Sequence, residues 1–301
     1  MQKETKEDEQ KAEGKETRME RELPIFSIYE KALRPADFRT MFRDAKRAGY
    51  DAIEFSVDST DARLARLDWT AAQMEELRRT AREEDLRILT MCLSGHKRFS
   101  LGHPDPAVRA QGLVIMEKAL CFSERVGIRV IQLSGFDVFD ERLRTAETRK
   151  RYEENVAKAA RMAAHCCVTL AIEPVEGNLL DVKSTMEVVE KVDSPFLQVY
   201  PDPANILSLG IDPIRDLEFG KGHIAAVHMR DSLPGIFDAT IPFGTGCLDF
   251  DAVLRKLDEL DFSGPMIVEM WNEERADYMD YIRQARDYLE EHIRKVRRDD
   301  V

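Results

Sequence analysis

Four side chains in this sequence interrupt or end apolar runs where a loop begins. Glu173 closes VTLAIE, Asp202 closes FLQVYPD, His228 lies in IAAVHM and Glu269 lies in PMIVEMW. One carboxylate or imidazole in such a place is ordinary, because strand ends meet polar loops. Four at the ends of successive runs point to one shared mouth. Three carboxylates crowded together repel one another and resist ionisation unless positive charge sits among them. A divalent cation supplies that charge. Glu173, Asp202, His228 and Glu269 offer three oxygens and one nitrogen, a set suited to Mn²⁺, Mg²⁺, Co²⁺ or Zn²⁺ with room for two substrate oxygens. None of the five cysteines (Cys92, Cys121, Cys166, Cys167 and Cys247) stands at these positions, so there is no thiolate selection for zinc. The expectation is one divalent metal ion of open identity.

Weaker signals surround this set. SGHKRFSLG (94–102) places His96, Lys97 and Arg98 in one loop. It reads either as a solvated charged turn or as a phosphate grip by Arg98 or Lys97, with His96 near the bound molecule. Arginine suits bidentate phosphate binding. Gly244-Thr245-Gly246 could offer backbone N–H groups to an anion. Glu54, inside the run AIEFSV, reads as a paired interior acid or as a support for the ligands. Trp271 and Phe243 are expected in the pocket wall. His165, His223 and His292 fall away from the expected mouth.

The elements that must position these residues follow from periodicity. Eight apolar runs occur at 25–28, 52–57, 87–93, 128–134, 168–173, 196–202, 224–229 and 265–271. They are too continuously apolar for half-exposed antiparallel strands and read as parallel strands buried on both faces. Amphipathic stretches lie between them at 35–48, 70–84, 107–126, 149–165, 184–192, 213–220 and 251–260, and 275–296 closes the chain. Thr70 is a candidate N-cap, and Gly49 and Gly127 are stops. Eight strand–helix units in strict alternation predict a single (β/α)8 TIM barrel, whose active site forms at the carboxyl ends of the strands. An open doubly wound sheet would usually carry a glycine-rich turn after its first strand, and SIYEKALRP is not one.

Composition agrees with one α/β domain and a small ligand. The chain has 301 residues, 43% of them hydrophobic, and a formal net charge of -12. That charge disfavours nucleic acid and anionic membranes as partners. No apolar run approaches the ~20 residues needed to span a bilayer. The first 22 residues are densely charged with almost no large apolar side chains, which predicts a disordered tail over 1–22 and a barrel over 23–301. The odd cysteine count, without paired spacing or a secretion signal, reads as a reduced, cytoplasmic protein.

The segments MCLSGHKRF (91–99), VRAQGL (108–113), VGIRVIQLSGFDV (126–138), HIAAVHMRDSLPG (223–235), IPFGTG (241–246) and IVEMW (267–271) closely resemble the L-ribulose-5-phosphate 3-epimerase family. This family, also called L-xylulose-5-phosphate 3-epimerase, lies within the xylose isomerase-like TIM barrel superfamily. FSVDSTDARLARLDW (55–69) resembles its loop after the second strand, and the likeness runs from about Leu23 to the last helix. The resemblance implies a metal-dependent isomerase that inverts C3 of a ketopentose phosphate, L-ribulose 5-phosphate or L-xylulose 5-phosphate, in L-ascorbate and pentose catabolism. It implies metal ligands at Glu173, Asp202, His228 and Glu269, and an acid/base pair at Glu173 and Glu269 on opposite strands. An aldose–ketose isomerase on the same metal site is the alternative. Asn205 replaces a histidine that touches substrate in free-sugar epimerases, and Arg230 is followed by Pro234 without the arginine those enzymes carry further along. Both departures fit a phosphorylated substrate. The expected substrate-binding residues are His96, Arg98, Asn205 and Arg230. The expected partner is a small sugar phosphate, with a homodimer as a possible assembly.

Overall fold

The structure is a computed structural model that describes residues 22–175, 177–272 and 274–299. The expected tail over 1–22 lies outside the described residues except for Glu22, whose carbonyl accepts from the Arg297 guanidinium at 3.4 Å.

Eight parallel strands are present: β1 Phe26–Tyr29, β2 Ala52–Ser56, β3 Arg87–Cys92, β4 Val130–Ser134, β5 Thr169–Glu173, β6 Leu197–Val199, β7 Val227–Met229 and β8 Met266–Val268. Their hydrogen-bonded order is β6-β5-β4-β3-β2-β1-β8-β7. The ring closes between β6 and β7 through a bridge of Val199 with Ile224. Val199 N–H donates to His223 O, and Ala225 N–H to Val199 O, each at 2.9 Å. This is the expected (β/α)8 barrel. The last three strands are shorter than their apolar runs. Pro201 and Pro203 follow β6, and proline brings no N–H to a ladder. The β2–β3 pairing carries a bulge: Ile53 pairs with Ile88 but Glu54 pairs with Thr90, so Leu89 is the extra residue.

The helices fall where periodicity puts them, with ends set by caps. Thr70 caps Ala71–Glu83 through a reciprocal box with Gln73, satisfying two N–H groups that helix geometry leaves unpaired. Asp105 caps Pro106–Val126, which stops at Gly127 with φ +97°, a conformation that suits glycine. Two short helices were not expected, Asp61–Leu64 and Pro203–Ser208. Among the described residues no helix is long and apolar enough to cross a membrane.

Two apolar clusters hold the barrel. The larger joins strands to the surrounding helices, with Phe42, Phe55, Phe122 and Leu289 all within 1% of full burial. The smaller is Tyr29, Cys92, Ala171, Tyr200, Ala226 and Ile267. Strand alternation puts Ala171 on the face of Glu173, Ala226 on that of His228 and Ile267 on that of Glu269. This second cluster is therefore the barrel interior, and the four polar residues form the layer above it.

Candidate metal centre and active-site chamber

Each candidate ligand stands where its strand ends. Glu173 is the last residue of β5, His228 is within β7, Glu269 follows β8, and Asp202 lies three residues past β6. Asp202 is also the N-cap of Pro203–Ser208, its Oδ1 accepting from the N–H groups of Ala204 and Asn205. One ligand atom from each of Glu173, Asp202, His228 and Glu269 falls within 4.8 Å of all the others. No other such group of three or more occurs among the described residues.

The bonding around these groups shows charge crowding. His228 Nδ1 is 2.9 Å from Glu173 Oε1 and 3.6 Å from Glu269 Oε2, and its Nε2 is 2.8 Å from Glu54 Oε2. Burial alone would push the imidazole down, but Glu54, Glu269 and Glu173 carry it well above its ordinary range. Burial pushes Asp202 up despite Arg230 beside it, whose Nε donates to Asp202 Oδ2 at 2.7 Å. Burial likewise raises Glu269, which His228 opposes and Glu173 reinforces by repulsion. Acids held above their normal range by burial, and further by each other's charge, are what a bound cation relieves. The donor set therefore fits a divalent ion.

Above the ligands lies a chamber of about 650 Å³. Glu173, Glu269, Asn205, Arg230 and Trp271 all line it, as does Gln132 from β4. Gln132 Nε2 and Asn205 Nδ2 both donate to Glu173, and Asn205 Oδ1 accepts from Arg230. Two buried polar atoms on this wall have no hydrogen-bond partner among the described residues, Arg230 Nη1 and Gln132 Oε1. The loops after β1, β3 and β4 contribute three cations. Lys31 pairs with Asp58 at 2.9 Å, and Arg144 donates to the Val138 and Phe139 carbonyls. Lys97 lies 5.4 Å from the Phe139 ring centroid and forms no ion pair among the described residues.

Asn205 and Arg230 thus lie where the sequence puts them, but His96 and Arg98 do not line this chamber. Residues Ser94–Lys97 form a 3-10 turn, in which positions three apart share a face. Ser94 and Lys97 therefore face the chamber together. His96 is buried beneath, its Nε2 3.1 Å from the Gly112 carbonyl, and burial pushes its pKa down to about 4. Arg98 faces solvent, paired with Asp61 at 2.6 Å and stacked over Phe99. The anion at the Gly244–Gly246 turn is internal: Asp231 accepts from the N–H groups of Gly244, Gly246 and Leu248. Phe243 packs on Phe250 and Tyr288 instead of the chamber wall. His223 bonds Gln198 and His292 bonds Asp251. Sequence reasoning missed Gln132, Lys31 and Arg144. Gln132 showed the same signal as Glu54, a polar residue inside an apolar run.

The profile of the family described as xylose isomerase-like TIM barrel matches residues 42–292. The chain is 40% identical over 280 residues to L-ribulose-5-phosphate 3-epimerase UlaE of Salmonella paratyphi A, covering 92% of this chain and 98% of that protein. It is 39% identical over the same length to the L-ribulose-5-phosphate 3-epimerase UlaE of Escherichia coli strain SE11, with the same coverage. Among solved structures, an L-ribulose 3-epimerase superposes with a TM-score of 0.74 at 18% identity, over 92% of this chain and 97% of that one. A D-psicose 3-epimerase crystallised in the presence of D-fructose gives 0.76 at 16% identity, over 90% and 99%. At such identities these two likenesses speak to the fold.

Proposed function

This chain belongs to the L-ribulose-5-phosphate 3-epimerase family of xylose isomerase-like TIM barrels and is a sugar epimerase, and from that premise we propose that it inverts C3 of a ketopentose phosphate, L-ribulose 5-phosphate or L-xylulose 5-phosphate. The observation that carries this reading is the double position of Glu173 and Glu269. Both belong to the four-residue ligand group, and both face the chamber.

The hydrogen at C3 is acidic because C2 is a ketone, and its removal leaves an enediolate. Glu173, Asp202, His228 and Glu269 would hold a divalent cation, which would supply positive charge against the developing oxyanion. Inversion needs a proton taken from one face of C3 and another returned to the opposite face, so two bases are required. Glu173 and Glu269 stand on β5 and just past β8, with β6 and β7 between them. Gln132 and Asn205 orient Glu173 by hydrogen bonds. Among the described residues Glu269 has no comparably close donor, its nearest cationic atoms lying at 3.6 and 3.8 Å. Arg230 Nη1 and Gln132 Oε1 are a free donor and a free acceptor for substrate oxygens, since leaving them unpaired costs about 1–3 kcal/mol each.

With C2 and C3 at the ligand group on the β5–β8 side, the phosphate end of an extended ketopentose falls towards the β1–β4 loops. Lys97, without a carboxylate partner there, is the side chain we assign to it, in place of Arg98. The expected setting is L-ascorbate and pentose catabolism in the cytoplasm.

The test is to incubate the protein with Mn²⁺, Co²⁺, Zn²⁺ or Mg²⁺ and L-ribulose 5-phosphate in D₂O, following products by NMR. L-Xylulose 5-phosphate carrying deuterium at C3 is expected. An aldose phosphate without the C3 epimer would assign the chain to C1–C2 isomerisation instead, and no product with any of the metals would overturn the reading.

A further inference from the structure

Glu54 has no exposed surface, and it sits on the interior face of β2, where the neighbouring layer is apolar. A buried carboxylate is costly to hold in such a place, and breaking its pairing is costlier still. Both of its oxygens are occupied. Oε1 accepts from the Tyr200 hydroxyl at 2.8 Å, and Oε2 accepts from His228 Nε2 at 2.8 Å. Tyr200 is itself wholly buried, and its ring packs edge-on against the imidazole with centroids 4.6 Å apart. Tyr29 lies near the same ring at 6.4 Å. The imidazole is thus held at Nε2 and packed against Tyr200, and its other nitrogen, Nδ1, meets Glu173 Oε1 at 2.9 Å and lies 3.6 Å from Glu269 Oε2, among the other candidate ligands.

The backbone supports the same arrangement. The β2–β3 bulge falls between Ile53 and Glu54, so that Glu54 is opposite Thr90 rather than Leu89. Bulges re-aim side chains and concentrate next to active sites. Here the extra residue is Leu89 on the neighbouring β3, and the shifted register sets Thr90 beside Glu54, which among the described residues is the carboxylate that meets Nε2 of His228.

We propose that Glu54 is a positioning residue for the metal centre, holding the Nε2–H of His228 so that Nδ1 presents its lone pair to a divalent cation. Tyr200 completes the device by holding the other Glu54 oxygen. Ligand imidazoles gain orientation and basicity from such a partner, and its loss characteristically weakens metal binding by about 10–100-fold. The inference rests on the metal reading above. The competing role is a buried ion pair that stabilises the barrel and leaves metal affinity alone.

The two are separated by titrating metal-stripped native and Glu54→Gln protein with Co²⁺, using visible absorption and a competing chelator, alongside the melting temperature of each metal-free protein. Glutamine can still accept from Nε2–H and meet Tyr200, so the fold is expected to hold. The expected result is a Co²⁺ affinity lower by about tenfold or more, with an altered absorption band and little change in metal-free melting. Affinity within about twofold of native, whether or not melting falls, overturns the proposal. Should Glu54→Gln fail to fold, Tyr200→Phe carries the test. A loss of about threefold or more supports the proposal, and native affinity overturns it. If the native protein itself takes up no Co²⁺, the metal centre fails and the inference fails with it, whereas native binding with an unaffected Glu54→Gln sinks the inference alone.

Discussion

Asn205 Nδ2 donates to Glu173 Oε1 at 3.1 Å, tying the first turn after β6 to the end of β5. The bond joins a residue of the chamber wall to one of the two proposed bases. Asn205→Ala removes a hydrogen bond to a charged acceptor, an interaction worth about 1.5–3 kcal/mol, so kcat/KM for the ketopentose phosphate should fall by about tenfold or more. Steady-state kinetics check this. An unchanged kcat/KM would make the contact incidental.

Lys97→Ala should raise KM for L-ribulose 5-phosphate by about tenfold while changing turnover of unphosphorylated L-ribulose little, because one charge-assisted contact is lost only with the phosphate. Arg98→Ala should leave both substrates within about twofold, since Arg98 faces solvent against Asp61. Comparing the two variants on the two sugars reads this directly. Equal losses from both would return the loop to a merely structural role.

Glu173→Gln and Glu269→Gln should each abolish epimerisation. With metal content measured and matched to native, each variant should still exchange the C3 hydrogen of one epimer with solvent deuterium, because a single base can form the enediolate. The labelled epimer should differ between the two. Near-native epimerisation by a metal-replete double variant would sink the two-base mechanism. Full rescue of one single variant by excess metal would make that glutamate a ligand only.

His96 sets a stability term that depends on pH. Its folded pKa is pushed down to about 4 by burial, while an unfolded imidazole titrates near about 6.5. The folded state therefore binds fewer protons in between. The neutral ring's contribution is fully present above about pH 6.5 and is lost as pH falls through about 4. Between pH 7 and pH 5 the native protein should lose about 2 kcal/mol more than His96→Gln, in which the amide can still donate to Gly112. Urea unfolding at both pH values measures the difference. Parallel curves would mean that the imidazole is not sealed from solvent.

The barrel was legible in the sequence because both faces of its strands are buried, so all eight runs read as apolar blocks. Their lengths were less so, because Pro201 cuts β6 short inside an apolar stretch. Glu173, Asp202, His228 and Glu269 were legible as polar residues at the ends of such blocks, and the structure gathers all four. Facing within the 94–98 loop was not legible. Helical propensity does not announce a 3-10 turn, and one residue of rotation exchanges Lys97 for His96 or Arg98. The Gly244–Gly246 turn misled for a different reason. Its anion is Asp231, more than ten residues earlier, and only the fold brings them together.

The joint between β6 and β7 has a mechanical consequence. A hoop is only as strong as its clasp, and this one is fastened by a short bridge at Val199 and Ile224 and by the His228 N–H on the Pro201 carbonyl. Asp202 and His228 stand directly across that clasp, one from each side. A cation bound between them, as proposed, would rivet it shut, adding to stability by mass action about 2.7 kcal/mol at a hundredfold excess over its dissociation constant. Stripping the metal should therefore loosen the molecule locally before it unfolds. In hydrogen exchange, the amides of Val199, Ala225 and His228 would lose protection first, while the broad β2–β3–β4 side of the hoop keeps its own.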